Sequence, residues 1–122
     1  FTFSDKETGV PLIVAETENY HTRASHEIEV LCALAAPLKV LVLSCEWQAS
    51  EKAIWLPRWQ EIIRKHHTIV SVDCLYLVVV GEWNECEADP VNGIVEYFFT
   101  VVDSNGNESE SETMRTERKS VT

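Results

Sequence analysis

Glycine-rich phosphate loops, a GxSxG turn and any convincing nucleophile with a base at hand are missing from the 122 residues, so acyl transfer and nucleotide hydrolysis lose ground. The four cysteines, at 32, 45, 74 and 86, have no CxxC or CxH spacing. Three of them sit inside apolar segments, where a free thiol packs as a small hydrophobe, and reduced cysteines in a cytoplasmic setting are expected. No window approaches the ~20 apolar residues that a membrane-spanning helix needs, and the amino end lacks a charged-then-apolar leader. No membrane association is therefore expected. Positive charge is also scarce: 10 Lys and Arg stand against 20 Asp and Glu, a formal net charge of −10. Nucleic-acid coats rest on phosphate neutralisation, so this balance argues against a generic one. The basic residues present are grouped, with Arg58, Arg64, Lys65, His66 and His67 together, while acid gathers at Glu82 to Asp89 and Asp103 to Glu117. A local basic patch remains open. There is no internal repeat.

What is present is enough for one domain with a real core, since 45% of the residues are hydrophobic. The chain is organised around Pro11 to Asn19, in which Leu12-Ile13-Val14-Ala15 reads as a buried strand and Glu16 and Glu18 follow. Residues two apart on a strand leave it on the same side, so two carboxylates converge at a strand end. Hard divalent ions such as magnesium take oxygen ligands of this kind, completed by waters, a backbone carbonyl and a substrate phosphate.

In chain order, Phe1 to Asp5 alternates like a half-exposed strand, and Lys6-Glu7-Thr8-Gly9 turns back into the strand at 11–18 as a β-hairpin. Asn19 to Thr22 offer cap residues for a helix running to about residue 35, with Ala24, Ile28, Leu31, Cys32 and Ala35 at helical spacing. Pro37 ends it. Leu38 to Cys45 reads as a strand covered on both faces, and a helix between two such strands implies a parallel crossover. Ser50 is expected to cap a second helix to about His67, with Ile54, Trp55, Trp59, Ile62 and Ile63 on its apolar face and a kink or restart at Pro57. Leu75 to Val80 and Ile94 to Val102 are further strands joined by a loop over Gly81 to Gly93, and Asp103-Ser104-Asn105-Gly106 is a turn. The expected fold class is α/β, a mixed β-sheet with flanking helices, in one domain over 1–107. Residues 108–122 form a polar tail or an edge strand.

Each chemical feature has a plain structural counterpart. Glu16 and Glu18 are also what a strand surfacing into solvent looks like, and Glu27, one to two turns into the first helix, is also an ordinary solvated acid. His21 and His26 stand five apart, which does not place both on one helix face as a zinc pair needs. His66 and His67 suit the carboxyl end of a helix dipole. The tryptophans at 47, 55, 59 and 83 read as core or helix-face residues, with a base-stacking platform as the alternative.

The hairpin, the strand Ala15-Glu16-Thr17-Glu18-Asn19, the helix carrying Glu27 and the strand Pro37-Leu38-Lys39-Val40-Leu41-Val42 together resemble the core of the PD-(D/E)XK restriction-endonuclease-like superfamily. The resemblance covers residues 1–46, and beyond them only the order of elements. In that fold an aspartate on one strand and a D/E-x-K motif on the next hold magnesium against the scissile phosphate. Here the motif's acid falls on Glu16 and its lysine position on Glu18, which makes this an E-x-E variant.

The resemblance implies metal-dependent phosphodiester hydrolysis with Mg2+ or Mn2+ held by Glu16, an upstream acid and a backbone carbonyl of Ala15 or Thr17. Glu18 would orient or deprotonate the attacking water, and Glu27 would lean toward the same strand end. The upstream acid is either Asp5 or a residue preceding Phe1, where an upstream part of the fold is expected. The implied partner is nucleic acid, DNA ahead of RNA, with a homodimer as a further possibility. The competing reading is a catalytically inactive nuclease-fold interaction module; a metal-free ligand- or protein-binding domain is a third.

Overall fold

A computed structural model describes residues 1–82 and 94–117. The expected loop beyond Glu82, with Trp83 and Cys86, and residues 118–122 lie outside the described residues. The elements run β1 (Thr2–Ser4), β2 (Pro11–Glu18), α1 (Ala24–Ala33), β3 (Leu38–Cys45), α2 (Ala49–Ile69), β4 (Leu75–Glu82), β5 (Ile94–Asp103) and β6 (Glu108–Glu117). The strands form one six-stranded sheet whose order in space is β1-β2-β3-β4-β5-β6. β2, β3 and β4 are parallel, and β1, β5 and β6 pair antiparallel at the two sides. The α/β class and mixed sheet are as expected, and the polar segment after residue 107 takes its edge-strand alternative.

Both crossovers step the same way along the sheet, which sets α1 and α2 side by side on one face. That face receives Val14 of β2, Lys39, Leu41, Leu43 and Cys45 of β3, and Tyr76, Val78 and Val80 of β4, all buried. α1 covers them with Ala24, Ile28, Leu31 and Cys32, and α2 with Leu56, Trp59 and Ile63. Trp47 lies 5.5 Å from Trp59, nearly parallel, and 5.9 Å from Phe98, tying α2 to β5.

The opposite face corrects a sequence expectation. β3 was read as covered on both sides because its apolar run is continuous, yet among the described residues no helix lies on the second face, and Val42 is 39% and Leu75 46% exposed.

Local chemistry departs from expectation in four further places. The cap of α2 is Gln48 rather than Ser50: Glu51 accepts the Gln48 N–H at 3.0 Å in a capping box, and the Ser50 hydroxyl donates to the same carboxylate. α2 runs uninterrupted through Pro57. Its buried stripe is Leu56 with the expected Trp59 and Ile63, the expected Trp55 and Ile62 pack partly buried beside it, and Ile54 is half exposed. α1 begins after Arg23 with no side-chain cap; the Ala24 and His26 N–H groups donate instead to the His21 and Arg23 carbonyls, at 3.3 and 3.1 Å.

The β5–β6 turn is held by Asp103, whose carboxylate accepts the Asn105 and Asn107 N–H groups at 2.9 and 3.0 Å. Its Gly106 has φ +79, and a Cβ there would stand 2.6 Å from the Gln60 carbonyl, so only glycine lets the turn rest on α2.

Candidate functional site: a carboxylate group at the end of β2

Pairing fixes the directions of the two strand acids. Glu16 lies beside Leu41 and Glu18 beside Leu43, both of which point to the helix face, so the acids point there too. They are half-buried, whereas Thr17 between them faces the other side and is exposed. Only the backbone of Thr17 is therefore on offer to a site shared with Glu16.

α1 crosses above and brings Glu27 down from its first turn. Glu27 comes close enough to Glu16 and Glu18 to feel both charges. The Glu27 carboxyl is held above its ordinary value of 4.5, first by desolvation and then by the charges of Glu16 and Glu18, with His26 acting in the opposite sense. Three carboxylates thus share one field at this strand end. In Glu18 the oxygen that accepts Asn19 and Tyr20, at 2.9 and 3.2 Å, is the same one, which pins the side chain over the strand end.

Asp5 is not part of this group. Its amide donates to the Val10 carbonyl at 2.8 Å, and its carboxylate accepts the Glu7 and Thr8 N–H groups and the Thr8 hydroxyl within the hairpin turn. These bonds, the Thr8 amide foremost, lower its pKa below the usual carboxylate range. β1 meets β2 at Ser4 opposite Pro11, and Phe1 exchanges two hydrogen bonds with Ala15, at 2.8 and 2.9 Å. Asp5 therefore lies beyond the level of Pro11, roughly 17 Å along the strand from Glu16 at about 3.3 Å per residue.

Beside the carboxylates is an aromatic and basic cluster. The His21 ring stacks on Trp55 at 5.3 Å, and the Arg58 guanidinium lies 4.9 Å from the centre of the Trp55 ring. His21 follows Glu18 by three residues, and its buried Nδ1 has no hydrogen-bond partner among the described residues. Sequence reading set His21 aside as a zinc ligand and left Trp55 on a helix face. The stack joins a loop to a helix some thirty positions away, and no local spacing signals it. The other basic residues are spent on the helix surface, where Arg64 and Lys65 both pair with Glu61.

The far end of the same face holds a different set. Lys39 is 4% exposed, and its ammonium donates to the Cys32 carbonyl at 3.1 Å and to the Tyr76 hydroxyl at 3.4 Å. The Tyr76 hydroxyl is also 2.7 Å from Nε2 of His67, whose Nδ1 is 2.9 Å from the Val70 carbonyl. This network closes the carboxyl ends of both helices, which accounts for a lysine inside an apolar strand. Cys32, Cys45 and Cys74 are buried free thiols, and burial raises Cys45 to about 11.

A hard cation suits the donor chemistry at the β2 end, since all three groups there are carboxylates. Among the described residues no group of three or more His, Cys, Asp and Glu side chains is arranged to hold a metal ion. No helix among the described residues is long and apolar enough to cross a membrane. No family model matches the chain, and no curated protein matches it.

Proposed function

We propose that the β2 end is the metal site of a nuclease-like domain that hydrolyses phosphodiester bonds, with DNA as the favoured substrate. The observation that carries this reading is the convergence of Glu27 on Glu16 and Glu18. Carboxylates brought together at the cost of mutual repulsion are relieved by a divalent cation, and Glu27 occupies the role that Asp5 is too far away to fill. Bound there, Mg2+ or Mn2+ would supply Lewis acidity to the phosphate and acidity to a water. Glu16 and Glu27 hold the ion, Glu18 orients the water, and the His21–Trp55–Arg58 cluster offers a ring face and a guanidinium to an unpaired base and its phosphate.

Calorimetric titration of Mn2+ into the wild type and into a Glu16→Ala, Glu27→Ala double variant tests the site. Saturable binding in the wild type, lost in the variant, is the expected result, followed by Mg2+-dependent cleavage of single- or double-stranded DNA. A wild type that takes up no ion at millimolar concentration overturns the reading. The second reading, a non-catalytic interaction module on the same fold, is favoured by one observation: Glu18 stands where the resemblance calls for a lysine.

A further inference from the structure

The face of the sheet away from the helices carries an apolar surface that a lone domain does not leave in water. Strands with helices on them are ordinarily covered on both faces, and contiguous apolar patches beyond a few hundred Å2 mark interaction sites. The outward positions of β1 to β5, up to Val101, include no Asp, Glu, Lys or Arg, in a chain of which 25% is charged. Phe1 and Phe3 stand at one side of this face, 83% and 61% exposed. Toward the other side lies an open trough of about 500 Å3 lined by Leu77, Phe99, Val101, Glu112 and Met114.

The geometry points to a second copy of this chain as the occupant, packed face to face through the bare side of the sheet about a two-fold axis parallel to the strands. Three observations carry it. The first is area: five strands of about eight residues and the three residues of β1, at about 4.8 Å between strands and about 3.3 Å per residue, give a face of roughly 680 Å2 per copy, or about 1,400 Å2 for a pair, which is within the range of a standard specific interface. The second is self-complementarity. An axis parallel to the strands lays β1 of each copy over β5 and β6 of the other, so the exposed Phe1 of one meets the trough of its partner, twice. Phe1 is level with that trough, because it pairs with Ala15 and the register continues through Val40 and Leu77 to Val101. The third is charge. The acids on this face are Asp103 at the end of β5 and Glu110 and Glu112 of β6, and this axis sets all three against the β1 side instead of against their own copies. The pairing is independent of any metal at the β2 end.

The test is sedimentation equilibrium of the full chain together with Val42→Glu, a change at the middle of the face that touches neither helix. The wild type is expected to be a dimer and the variant to dissociate about a hundredfold more readily with its helical circular dichroism unchanged. Should the variant not fold, isotope-filtered NMR on wild-type protein mixed from labelled and unlabelled copies decides the matter. Contacts between copies from the Phe1 ring to the Val101 methyls or the Phe99 ring support the proposal. A wild type that stays monomeric at tens of micromolar overturns it, as does a dimer whose contacts between copies run through exposed helix residues such as Ile54 and Ile69.

Discussion

The two faces of the sheet are cut from the same strands and differ in what lies on them. On the helix face the apolar side chains interlock with α1 and α2, and the two buried polar residues have partners: Lys39 reaches a helix carbonyl, and the Thr100 hydroxyl donates to the Glu110 carbonyl at 3.1 Å. On the bare face the same strands present side chains of the same kind with no covering element among the described residues, and acids enter only at its β6 margin and at Asp103. Coverage is thus a property of the crossovers and not of the strands, because two helices that step the same way leave the second side to another molecule or to water.

The largest break in that comparison comes from the helix face. Trp59→Ala removes a 1% exposed side chain stacked on Trp47 and is expected to cost ~3–5 kcal/mol in urea unfolding. A sharper test uses neighbours of identical type. Val78 points at the helices and is 1% exposed, whereas Val79 points the other way and is only partly covered. Val78→Thr places a hydroxyl in a dry core and should cost ~1–3 kcal/mol, while Val79→Thr in dilute protein should cost well below that. Equal losses would mean that the second face is as dry as the first, and a loss at Val79 that grows with protein concentration would mean that a partner dries it.

The smallest effect concerns the carboxylates. Glu27 is held above its ordinary 4.5 in the folded chain, so its protonated form stabilises the fold at low pH, and that contribution fades as pH rises through the raised value. Glu27→Gln should flatten this decline in thermal midpoint between about pH 4.5 and neutrality, with little change below it. A variant with an undiminished decline would show that Glu16 and Glu18 do not press on Glu27.

Much of the architecture was legible in the order of residues. Runs such as Leu38 to Cys45 and the turn at Asp103 to Gly106 announce themselves through apolar length and turn chemistry, and the parallel crossover follows from a helix lying between buried strands. The bare face was not legible, because β3 is apolar at both parities and parity alone cannot say which side receives a helix. Within the site, the shared direction of Glu16 and Glu18 follows from a spacing of two. The remoteness of Asp5 follows from counting back through a four-residue turn. The approach of Glu27 was an expectation that the raised carboxyl fits. Lys39 and the His21–Trp55 stack depend on how α1 and α2 settle against the sheet, which a reading by period along a single helix does not contain.

Strand order in space repeats strand order in the chain. No strand must be threaded between two that are already joined, so the sheet can lengthen by adding each new strand to a free margin. The steps are unequal. The β5–β6 hairpin closes over a turn of a few residues, while Ile13 meets Leu38 and Leu38 meets Leu75 only after 25 and 37 positions, counted as 38 − 13 and 75 − 38. Short closures are fast and long ones slow, so the meander from β4 to β6 should gather first and offer β4 as the template on which the parallel half is laid down.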